Sequence, residues 1–379
     1  MKKNIAYKFR LMPNKTQANL IERTIGCARF IYNCMLADKI KHYKDTKLSL
    51  KNTPAQYKKE YDFLREVDSL ALANAQMNLE KAYINFFRRV EQGKKEVGFP
   101  KFKSKKKCSW SYTTNNQKDS IRIENNKIKL PKIGFVKLIQ HREISDDHII
   151  KSVTITKTRT DKYYISILVE YETQVIKKDI EKVIGLDFSM KELYVDSTGY
   201  SANYPRFFRQ AQEKLAKEQR KFSHRKPGSK RYEKQRLKIA KIHEHITNQR
   251  KDFLHKESHK LSNAYDMVCV EDLNMQAMSQ CLNFGKSVSD NGWGMFRTFL
   301  NYKLEDQGKQ LFVIDKWFPS SKMCSVCGCI NKGLTLADRE WVCDCGTTHS
   351  RDHNAAINIC NFGIRTVGMT GIAQECLYQ

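Results

Sequence analysis

The sequence predicts a multidomain α+β protein: a helical segment, a small β-barrel, and an α/β core in which strands and helices alternate. Three observations predict it. The chain has 379 residues, more than one typical domain of ~100 to 200 residues holds, so two or three cores are expected. Apolar periodicity is helical up to residue 93 and alternating after Phe99. From residue 183 onward, short buried-strand patterns alternate with helical ones, which is α/β order.

Asn14, with Gln17 three residues on, reads as a helix cap, and Leu20, Ile21, Ile25, Ala28, Ile31 and Met35 then recur at helical spacing. A second helix follows residue 69, with the stripe Leu72, Ala75, Leu79, Tyr83, Phe86 and Val90; Arg88, Arg89 and Gly93 suit its C-terminus. Pro100 then breaks helical order. Asn125-Asn126 sits between Ile121/Ile123 and Ile128/Leu130 as a hairpin turn, and the alternating runs 153–157 and 163–171 flank a turn near Asp161. This stretch is expected to form the small barrel. VIGLDF at 183–188 and LYV at 193–195 read as strands, the second closed by Asp196-Ser197-Thr198-Gly199. Residues 206–260 are helical on either side of Lys226-Pro227-Gly228-Ser229, so a helical hairpin is expected, and buried strands recur at Met267–Val270 and Leu311–Ile314.

Lys plus Arg number 68 against 41 Asp plus Glu, a net charge of +27, with a pI near 9.5. Such a field attracts polyanions, and nucleic acid is the expected partner. Hydrophobic residues make up 40% of the chain, enough for packed cores, which excludes a disordered basic arm. The N-terminus is charged where a signal peptide is apolar, and no stretch reaches ~18 consecutive apolar residues, so an intracellular, cytoplasmic protein with no membrane partner is expected. No Gly-rich phosphate loop, nucleophile elbow or H-E-x-x-H motif occurs, which leaves ATP hydrolysis, acyl transfer and metalloprotease chemistry unsupported.

Three acids stand out by placement. Asp187 lies within a hydrophobic strand, Glu271 ends another, and Asp352 begins a helix. Carboxylates at strand ends sit where open α/β sheets gather ligands, and three of them can hold two divalent cations ~4 Å apart. Mg2+ prefers such oxygen ligands. One acid at a strand end is more often a turn or cap residue. The order around these three carries more: a strand and hairpin, a helical excursion, a strand with the second acid, another strand, and a helix with the third. That is RNase H-like order, the topology of two-metal nucleases and strand transferases.

Five of the twelve cysteines lie between residues 324 and 345. Cys324-x-x-Cys327 has zinc-knuckle spacing, and Cys343-x-Cys345 follows after 15 residues, so a two-knuckle zinc ribbon is expected. The second pair is one residue short of C-x-x-C, which leaves Cys329 or His349 as alternative fourth ligands. Cys27, Cys34, Cys108, Cys269, Cys281, Cys360 and Cys376 read as packing residues. Two basic segments are candidate nucleic-acid contacts. Lys101, Lys103, Lys105, Lys106 and Lys107 precede Trp110 and Tyr112, which are placed to stack on bases. Residues 206–260 hold 18 Lys/Arg against 6 Asp/Glu, with Lys214, Lys217, Arg220 and Lys221 among them; phosphates would neutralise that imbalance.

These features together resemble the TnpB (OrfB) family of insertion-sequence proteins, related to the compact type V CRISPR effectors. The resemblance rests on YKFRLMPNKTQ (7–17), GFPKFK (98–103), GLDFSMKELYVDSTG (185–199), NQRKDFLHKES (248–258), VEDLNM (270–275), FPSSKMCSVCG (318–328) and CGTTHSRDHNAAINI (345–359), and it covers nearly the whole chain. It implies a β-barrel wedge domain at 1–13 and 96–180 around a helical recognition domain at 14–95. It further implies a RuvC-like nuclease domain at 181–320 and 350–365, an inserted zinc ribbon at 321–349 and a tail at 366–379. Asp187, Glu271 and Asp352 would be the catalytic, Mg2+-binding carboxylates, and Cys324, Cys327, Cys343 and Cys345 the zinc ligands. The implied activity is RNA-guided, Mg2+-dependent endonuclease cleavage of double-stranded DNA beside a short transposon-adjacent motif, with a guide RNA derived from the transposon end. The alternatives are a transposase-like strand transferase and a guide-loaded repressor that does not cut. Phe188-Ser189 departs from the family pattern of an aliphatic residue and Gly.

Overall fold

The computed structural model describes residues 1–94, 97–281, 290–335 and 337–368. It divides into two compact units, Met1–Gln174 and Val175–Gln379. The division falls just before the boundary expected at 180/181, because residues near 178 bind the second unit: the Lys178 amide donates to the Gly308 carbonyl at 2.9 Å, and its ammonium pairs with buried Asp266 at 2.7 Å.

The first unit runs β1 (Lys2–Met12), α1 (Lys15–Thr46), α2 (Pro54–Tyr57), α3 (Ser69–Glu91), β2 (Ser111–Asn115), β3 (Arg122–Glu124), β4 (Lys127–Leu130), β5 (Gly134–Ile139), β6 (Ile149–Lys157) and β7 (Tyr163–Glu172). The cap residues form the expected box: Asn14 Oδ1 accepts from the Gln17 amide at 2.8 Å and Gln17 Oε1 from the Asn14 amide at 3.0 Å. All seven strands form one sheet, ordered β2-β6-β7-β1-β5-β4-β3. Asn125 and Asn126 both adopt positive φ, as a two-residue hairpin between twisted strands requires. The inward residues, among them Phe9, Leu11, Val136, Ile155 and Ile167, share one core with Ile21, Ile25 and Ala71 of the helices. Each Val, Leu, Ile or Phe side chain among them contributes about 1.5–3 kcal/mol on leaving water. The strands expected to form a barrel lie in this one seven-stranded sheet. Among the described residues its edge strands β2 and β3 are joined by residues 116–121 and no ladder pairs them.

The apolar stripe of α3 ends one stripe residue earlier than the sequence predicts. Leu72, Ala75 and Leu79 are buried in a core shared with α1, Tyr83 and Phe86 pack on Phe99, and Val90 is half exposed.

In the second unit, β8 (Val183–Phe188) and β9 (Tyr194–Asp196) form a hairpin, followed by α4 (Phe207–Ser223), α5 (Lys230–Ala264), β10 (Met267–Glu271), α6 (Met275–Cys281), α7 (Trp293–Asp306) and β11 (Gln310–Ile314). The short strands β12 (Glu340–Val342) and β13 (Thr348–Ser350) then lead into α8 (Arg351–Thr366). The main sheet is ordered β11-β10-β8-β9. Strands β8, β10 and β11 are parallel and β9 is antiparallel to β8.

Side chains alternate across these strands, and the alternation decides which helix each residue meets. Ile184, Leu186, Val268 and Val270 pack with α5 and α7. Val183, Met267 and Cys269 pack with Ile359, Cys360 and Ile364 of α8. The α8 backbone approaches β8 so closely that a Cβ on Gly185 would collide with the Ala356 carbonyl oxygen and lie 2.6 Å from the Cys360 nitrogen. Gly185→Ala is therefore expected to destabilise the protein by about 1–3 kcal/mol, the usual cost of overpacking against backbone. Thermal unfolding checks it: an unchanged midpoint would show that α8 can withdraw freely.

Among the described residues, no helix is long and apolar enough to cross a membrane. Cys27, Cys269 and Cys360 are buried and Cys34 and Cys108 partly so, in keeping with packing roles. The Cys281 side chain, Cys376 and most of the expected tail lie outside the described residues.

Candidate active site and metal centre

The strand alternation that sends Val183 and Gly185 toward α8 sends Asp187 the same way, and Glu271 follows Met267 and Cys269. The last recorded pair between the strands is Val270 with Leu186; Glu271 and Asp187 are the next residues on each, on one face of neighbouring strands ~4.8 Å apart. Asp352 stands in the first turn of α8, the helix covering that face. All three line one cleft of about 540 Å³, together with Lys191, Arg206, Arg209, Arg339 and Arg351.

The electrostatics follow from that crowding. Burial, then the like charges of Glu271 and Asp352, hold the Asp187 carboxyl well above the usual carboxylate range, with Arg351 opposing. Burial also raises Glu271, while its hydrogen bond from Ser320 acts the other way. An all-oxygen donor set with surplus negative charge suits a hard divalent cation.

Several residues that sequence reasoning did not single out hold these acids. Ser320 Oγ donates to Glu271 Oε1. Arg339 Nη1 pairs with Asp352 Oδ2 at 3.5 Å, and the Arg339 carbonyl accepts the Arg351 amide at 2.8 Å. His353 Nε2 donates to the Ser197 carbonyl at 3.2 Å, tying α8 to the turn after β9. The only sequence signal was the position of Ser320, Arg351 and His353 inside the motifs that hold the acids and cysteines; Arg339 lies between those motifs and had none.

The cysteine cluster forms beside this cleft. Ligand atoms of Cys324, Cys327, Cys343 and Cys345 all lie within 4.8 Å of one another. Cys324 and Cys345 sulfurs are 3.8 Å apart and those of Cys327 and Cys343 3.5 Å apart. A tetrahedron with Zn–S bonds of ~2.3 Å has edges of roughly 3.8 Å, so the four thiols could hold a zinc ion. His349 Nε2 lies 3.0 Å from Cys324 Sγ, a contact to one sulfur of the cluster. Cys329 is exposed and contributes its carbonyl to the Cys324 amide at 2.8 Å. The contracted second pair thus brings both its sulfurs into the cluster. Thr347, through its hydroxyl and its amide, holds the Cys345 thiol below the ordinary thiol range.

The two basic segments differ. Lys214, Lys217, Arg220 and Lys221 are exposed on α4. Glu218 lies buried among them, accepting from Gln235 at 2.7 Å and pairing with Lys238 at 3.0 Å, which clamps α4 to α5. In the first unit, Lys101, Lys105, Lys106 and Lys107 are exposed. Lys103 is not: its backbone is paired with Asn33 in both directions, its ammonium sits 3.9 Å from the Tyr32 ring centroid, and burial lowers its pKa. The stacking role expected of Tyr112 is corrected, since strand alternation turns its ring into the core, where it is 5% exposed. The Trp110 ring carries Arg159 at 4.5 Å from its centroid.

Family models match residues 1–47 ("Helix-turn-helix domain"), 166–282 ("Probable transposase", OrfB_IS605) and 293–359 ("Cas12f1-like, TNB domain"). A Streptomyces pristinaespiralis protein named "Putative RNA-guided DNA endonuclease" is 34% identical over 369 residues, covering 95% of this chain and 89% of that one. The similarly named InsQ of Escherichia coli K12 is 30% identical over 383 residues, covering 95% and 92%. The chain belongs to the TnpB family. A third relative, "CRISPR-associated endodeoxyribonuclease Cas12f1" of Sulfoacidibacillus thermotolerans, is 26% identical over 60% of this chain and 56% of its own. The fold is that of the protein in "Cryo-EM structure of the Cas12f1-sgRNA-target DNA complex", with a TM-score of 0.58 at 15% identity over 92% of this chain and 83% of that one.

Within this TnpB-family chain, the stretch matched by the helix-turn-helix model is a strand followed by one continuous helix, β1 and α1. The departure at Phe188 also has a physical reason: its ring packs against Trp293 of α7, centroids 5.4 Å apart.

Proposed function

We propose that the protein is an RNA-guided, Mg2+-dependent endonuclease that cuts double-stranded DNA beside a short motif, acting in the cytosol with a guide RNA derived from its transposon end. The observation that carries this reading is the convergence of Asp187, Glu271 and Asp352 in one cleft of a TnpB-family chain. In this reading the second unit is an RNase H-like, RuvC-like nuclease core with a zinc ribbon. In the first unit the seven-stranded sheet is the wedge domain, with α1–α3 as its recognition region.

Asp187, Glu271 and Asp352 would hold the Mg2+ ions, which when bound supply an activated water and charge stabilisation at the phosphodiester. The chain's own residues do the rest. The cationic rim of Lys191, Arg206, Arg209, Arg339 and Arg351 attracts the phosphate strand to the acids. Arg206 is pre-set, its guanidinium donating to the Lys191 carbonyl at 3.1 and 3.2 Å. The exposed lysines of α4 and of residues 101–107 hold nucleic acid by its backbone, with sequence left to guide pairing.

A pH dependence follows from Asp187. Because its pKa is raised, the metal-free cleft keeps a proton to higher pH than an ordinary carboxylate would, and below that point a cation must displace it. Divalent-cation affinity is expected to rise with pH and level off once pH exceeds that raised value, with proton release on binding. Calorimetry in two buffers of different ionisation heat measures the release; a buffer-independent heat would show that Asp187 is already ionised.

The function itself is tested with two guides that differ only in their terminal segment, offered with both matching duplexes. Cutting is expected only of the duplex matching the loaded guide. Guide-independent cutting, or equal cutting after all RNA is removed, would sink the reading. Charge reversal across Lys214, Lys217, Arg220 and Lys221 is expected to flatten the salt dependence of RNA affinity, since each lost phosphate contact removes about one released counterion.

A further inference from the structure

We propose that Ser320 and Asn358 are positioning residues that fix Glu271 relative to Asp352 and thereby set the affinity of the carboxylate cleft for divalent cations. This rests on the proposed function and deepens it, because neither residue is itself one of the three acids.

The path is continuous. Ser320 Oγ donates to Glu271 Oε1, committing one carboxylate oxygen and fixing how the other faces the cleft. The Ser320 carbonyl accepts from Asn358 Nδ2 at 2.7 Å. Asn358 lies on α8, six residues after Asp352 on the same rigid helix, about 9 Å further along its axis. Two hydrogen bonds therefore connect one acid to the helix that bears another. Both links are shielded from water: Ser320 is 5% and Asn358 2% exposed. Exchange with solvent is thus disfavoured, and loss of either donor leaves a buried acceptor unpaired.

Asn358 has a second task that must be separated from this one. Its Nδ2 also donates to the Met323 carbonyl at 2.6 Å, as does Asn354 Nδ2 at 2.7 Å, and Asn354 Oδ1 accepts the Ser325 amide at 3.0 Å. These bonds anchor the first cysteine knuckle. If anchoring were the whole role, the Ser320 hydroxyl would not matter, because the knuckle is held through backbone groups.

Ser320→Ala makes the separation, removing the hydroxyl and keeping the carbonyl that Asn358 grips. The full-length, zinc-loaded chain is titrated with Mn2+, following free Mn2+ by electron paramagnetic resonance, with zinc content and thermal midpoint measured alongside. Ser320→Ala is expected to bind Mn2+ about 10-fold or more weakly, with zinc content unchanged. In the guide-loaded protein the Mg2+ concentration for half-maximal cutting should rise by the same factor. Ser320→Thr, which restores a hydroxyl, should recover Mn2+ affinity. Asn358→Ala should weaken Mn2+ binding as Ser320→Ala does. Unchanged Mn2+ affinity in Ser320→Ala, or a folded Ser320→Thr as weak as Ser320→Ala, overturns the proposal while the nuclease reading stands. An unaltered chain that binds no Mn2+, or Asp187→Ala binding it equally well, overturns the metal site itself.

Discussion

Asp187→Asn is expected to reduce target cleavage by about 10³-fold or more, while the thermal midpoint of the metal-free protein at neutral pH holds or rises. The first effect follows from losing a carboxylate where cations supply several kcal/mol of transition-state stabilisation. The second follows from linkage. Asp187 has a folded-state pKa well above its usual value because it is buried beside Glu271 and Asp352. A group raised in this way favours folding below its unfolded pKa and loses that contribution as pH climbs through the folded value, so at neutral pH, which lies above the unfolded pKa, the acid at position 187 opposes folding. The neutral amide removes that opposition. Glu271→Gln and Asp352→Ala should likewise abolish cutting with target binding largely intact, because phosphate contacts are made elsewhere. Cleavage rate, target binding and unfolding midpoint are measured on the same purified variants. Near-normal cutting by any one would remove that residue from the mechanism, and a large fall in the Asp187→Asn midpoint would falsify the account of its environment.

How much of this was legible in the sequence differs by residue. VIGLDF carries one charge at the end of an apolar strand, and period-2 alternation alone puts Asp187 on the face of Val183 and Gly185. The same parity puts Glu271 with Met267 and Cys269, so two acids on one face needed only the parallel register, which buried βαβ connections favour. Asp352 was visible as an acid opening a helix. What was not visible is what holds them, because Ser320 meets Glu271 across 49 residues and Asn358 meets Ser320 across 38. No local propensity encodes contacts at that separation. Tyr112 failed for a related reason. In Ser-Tyr-Thr-Thr-Asn only one residue is strongly apolar, so the alternation of β2 could not declare its inner face until its pairing with β6 supplied it. Lys103 read as one of five similar lysines, and only the Asn33 pairing and the Tyr32 ring set it apart.

Removing the zinc proposed at the four cysteines should cost more than the fold of that segment. Among the described residues, the buried apolar side chains packed with the cluster are Leu334 and Trp341, beside Cys324 and Cys343 themselves, a small core for such a segment, whereas zinc–thiolate sites contribute about 10–16 kcal/mol in finger peptides at neutral pH. The ribbon is also continuous with the cleft: β13 ends at Ser350, α8 begins at Arg351, and Arg339 pairs with Asp352. Elemental analysis of the purified protein is therefore expected to give one zinc per chain, and chelation or Cys324→Ser to abolish cutting as well as zinc. Graded variants locate the ligands. Cys345→Ser should lose zinc, whereas Cys329→Ser should keep it, since the Cys329 sulfur stands outside the cluster. His349→Ala should keep the stoichiometry but bind zinc about 10-fold more weakly, because the imidazole contacts a ligand sulfur and orients it. Full zinc retention in Cys345→Ser would move the fourth ligand to His349 or Cys329. A folded, active protein free of zinc would leave the ribbon to be held by its hydrogen bonds alone.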